Sequence, residues 1–129
     1  MRGAMNYNSF KNGHEGEQKA RLLLKRLGYE IFQADWIGFK ENKYVMFEIK
    51  HKERYKSPPF EGHGLPSYQA RKRLEFSQKT GIRNMLIVFE KTTNLIFYQW
   101  LDILEQGEFY DTRNSIRVYP LQNFKTLRL

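Results

Sequence analysis

Residues 35–50 run DWIGFKENKYVMFEIK, from Asp35 to Lys50. Two segments rich in aromatic and β-branched residues flank a polar pair, Glu41-Asn42, and this arrangement predicts an antiparallel hairpin. The first strand is expected over about Tyr29 to Phe39, the second over Lys43 to about Lys50. With the turn centred on Glu41-Asn42, Asp35 and Glu48 are equally far from it and face one another. Strand side chains alternate between faces, so Glu48 and Lys50 share one side while Phe47 and Ile49 take the other. The Phe47 side is apolar and is expected to be the core side.

A pair of facing carboxylates with a lysine on the same strand has a chemical reading. Asp35 and Glu48 offer hard oxygen ligands that suit Mg²⁺ or Mn²⁺ with water positions left open. Lys50 would orient an attacking water or offset charge building on a phosphate. That combination is suited to phosphodiester hydrolysis. A Glu-x-Lys tripeptide alone also occurs on ordinary solvated strands, so the facing position of Asp35 is what gives it weight.

Outward from the hairpin, residues 1–12 read as a loose, flexible leader, with Asn6, Asn8, Asn12 and Gly13 set against helix. From His14 to Leu27 the spacing turns helical: Ala20, Leu23, Leu24 and Leu27 fall on one face, and Gly28 supplies the stop. Residues 51–66 read as an irregular loop, since Pro58, Pro59, Gly62 and Gly64 oppose regular structure. A second helix is expected from Ser67, as N-cap, to Lys79, with Gly81 beyond it and with Tyr68, Leu74 and Phe76 inward. Asn84–Glu90 reads as a buried central strand and Leu95–Trp100 as another strand. A short helix at 101–106, a strand at 115–119 and a further short helix near 122–127 complete the chain. The order, a helix, two or three strands, a helix and two or more strands (αβββαβ through Glu90 with a third strand counted), describes an α/β fold with a mixed central β-sheet flanked by helices, in a single domain over residues 13–129.

Composition narrows the function classes. The chain has 129 residues, no cysteine, and 22 Lys+Arg against 14 Asp+Glu, a formal net charge of +8. The missing cysteine excludes disulfide scaffolds, thiolate zinc sites, iron–sulfur ligation and thiol catalysis. No apolar run approaches the roughly 18–20 residues needed to span a bilayer, so no membrane is expected as a partner. The excess of positive charge favours an anionic partner, nucleic acid above all.

Asp35 followed by Glu48-Ile49-Lys50 resembles the signature of the PD-(D/E)xK nuclease superfamily, and within it the archaeal-type Holliday-junction resolvases and related phage nucleases. Gly13-His-Glu-Gly-Glu17, ahead of an amphipathic helix ending at Gly28, is similar to the opening helix of that family with its acidic residue. Gln69, in the basic helix QARKRLEF, resembles the glutamine that follows the lysine in many members. Ala34 departs from the pattern, standing where the family has proline. The resemblance covers about residues 13–90. It implies a restriction-endonuclease-like core and a Mg²⁺- or Mn²⁺-dependent deoxyribonuclease, structure-specific for a Holliday junction or other branched DNA. It also implies a role in recombination or repair in the cytoplasm of a bacterial or phage-infected cell. Carried over residue by residue, Asp35 and Glu48 would be metal ligands and Lys50 the catalytic lysine. Glu17 would be an accessory acid at the metal, with Glu15 its rival, and Gln69 would support the site or touch the scissile strand. Relatives act as dimers because two symmetric cuts need two sites, so a homodimer is implied.

The DNA-contacting surface is expected around this centre. Lys52, Arg54, Lys56 and His63 belong to the 51–66 loop, where the glycines beside His63 allow close approach to a phosphate. Tyr55 and Phe60 stack on unpaired bases or anchor the loop. Arg71, Lys72 and Arg73 follow in the second helix, where three consecutive residues cannot share one face. Two other readings stay open: a non-catalytic nucleic-acid-binding or assembly module with the same fold, and an unrelated α/β protein whose basicity serves solubility.

Overall fold

The computed structural model describes residues 7–29, 35–56 and 58–128. The chain divides into two compact units, Met1–Gln33 and Ala34–Leu129.

Among its described residues the first unit holds one helix, α1 (Tyr7–Arg26). It begins inside the stretch read as a loose leader. Asn and Gly cost only about 0.7–1 kcal/mol each relative to Ala in a helix, a weak bias that a long helix propagates through. Its end is as the sequence predicts. Gly28 adopts φ 93°, with Gly28 N–H donating to Lys25 O (3.0 Å) and Tyr29 N–H to Leu24 O (3.0 Å), a Schellman closure. Residues 30–34 of the expected first strand lie outside the described residues.

The second unit opens with the hairpin, β1 (Trp36–Lys40) and β2 (Lys43–Lys52). Trp36 pairs with Phe47 and Lys40 with Lys43, the register that the position of the turn predicts. Glu41 and Asn42 both take positive φ, 52° and 62°, the twist that two-residue hairpin turns require. After β2 come β3 (Gly62–Pro66), α2 (Ser67–Thr80), β4 (Arg83–Glu90), β5 (Leu95–Trp100) and α3 (Leu101–Gln106). Then follow β6 (Tyr110–Asp111), β7 (Ile116–Pro120), a 3-10 turn at Leu121–Asn123 and β8 (Lys125–Arg128). The αβββαβ order is therefore present through β4, and the fold is mixed α/β with helices packed on a central mixed sheet. That sheet runs β1-β2-β4-β5-β8, with β2 and β4 parallel and the other pairs antiparallel.

Three details depart from the sequence reading. Residues 62–66 are a strand, not loop: β3 leaves the central sheet and pairs with β7 in a second sheet, β3-β7-β6. The glycines make this possible, because a Cβ on Gly62 or Gly64 would lie 2.0 Å from Tyr119 O or 1.7 Å from Arg117 O. Their role is close strand approach rather than phosphate approach. Of the short helix expected near 122–127 only the 3-10 turn at Leu121–Asn123 is present, and Lys125–Arg128 forms β8 on the edge of the sheet. Ser67 is the first helical residue of α2, preceded by Pro66 at the cap, and Tyr68 points outward.

The core lies on the face opposite to the one expected. Along β4 the even positions Asn84, Leu86, Val88 and Glu90 are buried, and along β2 Met46 and Glu48 are buried. Leu86 and Val88 pack with Leu65 of β3, Ala70 of α2, Phe97 of β5, Leu101 and Leu104 of α3, Tyr119 of β7 and Phe124. Phe47 and Ile49 are only half-buried on the other side. Alternation alone sets which residues share a face. Which face is covered depends on where β3, α2 and α3 return, and that is not local information. No helix among the described residues is long and apolar enough to cross a membrane.

Candidate functional site

Glu48 stands at the middle of a buried polar cluster between β2, β4 and α2. Its side chain is 6% exposed. Lys50 Nζ lies 3.0 Å from Glu48 Oε1, and the Arg73 guanidinium closes on Oε2 through Nη2. Arg73 is in turn clamped by Asn84: Arg73 Nη1 donates to Asn84 Oδ1 (3.1 Å), and Asn84 Nδ2 donates to Arg73 O (3.1 Å) and Ser77 Oγ (2.9 Å). Helical spacing explains why α2 delivers an arginine here. Ser67, Ala70 and Arg73 recur at i, i+3 and i+6 and are the buried residues of the helix.

Asp35 stands immediately before β1, one position beyond the Trp36–Phe47 pair, and continuing that register would bring it opposite Glu48. Its Oδ2 accepts the Ile49 N–H at 2.8 Å, so the carboxylate holds the edge of β2 where strand pairing has ended. Asp35 is exposed and Lys50 about a quarter exposed, whereas Glu48 and Arg73 are not. The structure thus brings Asp35, Glu48 and Lys50 to one end of the hairpin. Among the described residues, no three His, Asp or Glu side chains are grouped to hold a metal ion. A cation here would have two carboxylates, Asp35 and Glu48, and both oxygens of Glu48 already face positive groups.

The other expected residues divide. Glu17 belongs to α1, in the first unit, and its side chain is outside the description; Glu15 on the same helix is exposed. Gln69 is on α2 with Oε1 buried and without a hydrogen-bond partner among the described residues. Lys56, Arg71 and Lys72 are exposed, as DNA-contacting residues must be. Lys52 Nζ donates to Tyr55 OH (3.0 Å) and lies over that ring, and Phe60 meets Tyr110 edge to face, so both aromatics anchor the chain between β2 and β3.

Two expected DNA contacts are corrected. Arg73 is buried against Glu48, since its helical phase turns it to the sheet while Arg71 and Lys72 turn away. His63 is fully buried in β3, its ring packed on Phe97 and Phe124, and it faces no ligand surface. Arg54, only a fifth exposed, is drawn into the same place.

That place is a second buried carboxylate centre, at Glu90, which the sequence reading passed over. Arg54 donates twice to Glu90, Nη2 to Oε1 at 2.7 Å and Nε to Oε2 at 3.1 Å. Thr93 Oγ1 donates at 2.7 Å, and His63 Nε2 lies 2.6 Å from Oε2. Burial alone would raise the Glu90 carboxyl, but the hydrogen bonds from Arg54, Thr93 and His63 and the charge of Arg54 hold it down at about 2. Burial pushes His63 below its ordinary value against the pull of Glu90. Its Nδ1 has no partner among the described residues, so a proton there would be a buried N–H without an acceptor, and the ring stays neutral with Nε2–H donating. The signal was available: Glu90 keeps the alternating phase of Leu86 and Val88, and a charge in core phase requires partners.

No family model matches the chain, and no curated protein matches it. Among solved structures, the chain is similar to the Holliday junction resolvase Hjc of Archaeoglobus fulgidus, an archaeal hyperthermophile, at 11% identity and a TM-score of 0.43, over 80% of this chain and 84% of that one.

Proposed function

We propose that the chain is a divalent-metal-dependent nuclease that hydrolyses DNA phosphodiesters, with Asp35 and Glu48 as the ligands of Mg²⁺ or Mn²⁺. The observation that supports this reading is the hairpin register: continued one position past the Trp36–Phe47 pair, it would bring the exposed Asp35 opposite Glu48, and Lys50 lies 3.0 Å from Glu48 on the same strand. The metal, when bound, would supply an activated water and neutralise phosphate charge. Lys50 is exposed enough to meet a phosphate while Glu48 keeps it oriented. Arg73 and Asn84 fix the Glu48 carboxylate in one rotamer. Branched DNA such as a Holliday junction is the proposed substrate, and a homodimer the proposed working form.

A specific observation favours the second reading, a non-catalytic DNA-binding module. Glu48 is buried with a cation on each oxygen, as a purely structural ion pair would be. A cleavage panel separates the two. Junction, flap, single-stranded, duplex and plasmid DNA are incubated with Mg²⁺ or Mn²⁺ beside Lys50→Ala. The nuclease reading expects cleavage of at least one substrate with metal, abolished by EDTA and by Lys50→Ala. Binding without cleavage of any substrate would overturn it and leave the module reading.

A further inference from the structure

Three apolar side chains stand in the open on the face of the hairpin that carries Glu48. Ile37, Phe39 and Tyr44 are 66%, 61% and 55% exposed. Isolated exposed apolar residues are ordinary, but a contiguous row is not. Phe39 and Tyr44 are register partners, and their ring centroids are 4.8 Å apart with a 44° tilt, so the two rings form one continuous surface. Ile37 pairs with Met46, which continues the row inward. Alternation along β2 then gives Tyr44, Met46, Glu48 and Lys50 on one side. From Tyr44 to Glu48 the strand advances about 13 Å, at its ordinary rise per residue. Lys40 and Lys43, both exposed, pair at the turn end of the same hairpin but on its other face, so the nearest lysine of β2 on the face of the rings is Lys50.

We propose that Phe39 and Tyr44, flanked by Ile37, are a stacking platform for an unpaired DNA base a short distance along the strand from the phosphate at Asp35, Glu48 and Lys50. The assignment rests on the nuclease reading for that phosphate. The occupant follows from the chemistry of the surface. Aromatic rings on the same strand face as Lys50, on a chain of net charge +8, match what a single strand presents: π-faces at intervals along an anionic backbone. Within a duplex those faces are covered by neighbouring base pairs, so the rings can meet only bases that are unpaired or at an end. The platform therefore selects for substrates with unstacked bases near the cut.

The test is binding in EDTA, so that cleavage plays no part. Fluorescence anisotropy is measured with labelled oligothymidine and with a covalently closed duplex minicircle, which has neither loop nor end, the two compared at equal phosphate concentration. Phe39→Ala/Tyr44→Ala should weaken single-strand binding by about 10-fold or more, since alanine at a stacking ring costs roughly 1–3 kcal/mol per base. Duplex binding should hold within about twofold, and the salt slope should not change because no charge is removed. Phe39→Trp should retain single-strand affinity, and Phe39→Leu/Tyr44→Leu, which keeps the bulk without the rings, should lose it; this pair also serves if the alanine variant does not fold. Equal weakening on both DNAs, or no weakening on either, would overturn the platform. So would a wild-type dimer that the substitutions convert to a monomer while single-strand binding stays intact, because the row would then join two copies. Metal-dependent cleavage by wild type stands or falls separately, through Lys50→Ala.

Discussion

The sheet carries two buried carboxylates on the same face, Glu48 on β2 and Glu90 on β4, and each is met by an arginine. They differ in what surrounds the pair. Glu90 is closed: Arg54, His63 and Thr93 take its oxygens, and aromatic rings seal the histidine. Glu48 is closed only on the Arg73 side, while toward the hairpin edge it meets a partly exposed lysine, and an exposed aspartate binds the N–H of the next residue, Ile49. A buried acid is therefore not a sign of chemistry by itself. The sign is a buried acid with an open, charged flank.

The largest effect should fall on the closed centre. Glu90→Ala strands Arg54 without its carboxylate and should cost about 3–5 kcal/mol of stability, the range for breaking a buried ion pair from one side. Urea unfolding followed by circular dichroism measures it. A loss below about 1 kcal/mol would mean the Glu90 cluster relaxes into water and the two centres are alike.

At the open centre the effect should move from stability to activity. Lys50→Ala should lower cleavage by at least about 100-fold, the scale for removing one group that stabilises developing charge. The unfolding midpoint should shift little, because Lys50 reaches solvent and Glu48 keeps Arg73. Steady-state cleavage and urea unfolding on the same preparation decide it. Equal stability loss at Lys50 and Glu90 would erase the distinction between the centres.

The hairpin shows how much of this was legible. Glu41-Asn42 could be recognised as a turn from composition, and the turn fixed the register of Asp35 and Glu48 without any distant information. The order of α1, β1, β2, α2 and β4 follows likewise from local periodicity and glycine stops, whereas β3 falls in the stretch that reads as loop. What local reading missed depends on contacts far apart in sequence. The Phe47 face was expected to be core, yet β3, α2 and α3 return to the Glu48 face. His63 looked like a loop residue because Gly62 and Gly64 looked like loop glycines, whereas they serve strand contact with β7, more than fifty positions away in sequence. Arg73 was grouped with its basic neighbours by adjacency, although Ser67, Ala70 and Arg73 already mark one helix face.

The closed centre should also report in pH. Glu90 is held at about 2 in the fold against 4.5 ordinarily, so as pH falls below about 4.5 the unfolded chain takes up the proton first. His63 is held below its ordinary 6.5, so the unfolded chain again protonates first. In both cases the unfolded state binds more protons, and stability falls with falling pH, in a first stage below about 6.5 and a second between about 4.5 and 2. Urea midpoints from pH 8 to pH 3 test the order. His63→Gln should flatten the first stage and leave the second. A midpoint that rises between pH 7 and pH 5 would mean that His63 gains a proton on folding.

The smallest effect concerns the triplet Arg71, Lys72 and Arg73, which the fold splits between surface and site. Arg71 and Lys72 face solvent from α2, while Arg73 is spent on Glu48. If the first two meet duplex phosphates, each alanine substitution should reduce the slope of log binding constant against log salt by about 0.9, the value for one released counterion per contact. Lys72 shares Glu75 with Lys79, at 4.0 Å and 3.0 Å, so part of its charge is already compensated and its change should be the smaller. Arg73→Gln should leave the slope unchanged, because a guanidinium that never leaves Glu48 displaces no counterion from DNA. A slope change at Arg73 equal to that at Arg71 would show that the Glu48 cluster opens onto the nucleic acid, and the open centre would then extend to its arginine.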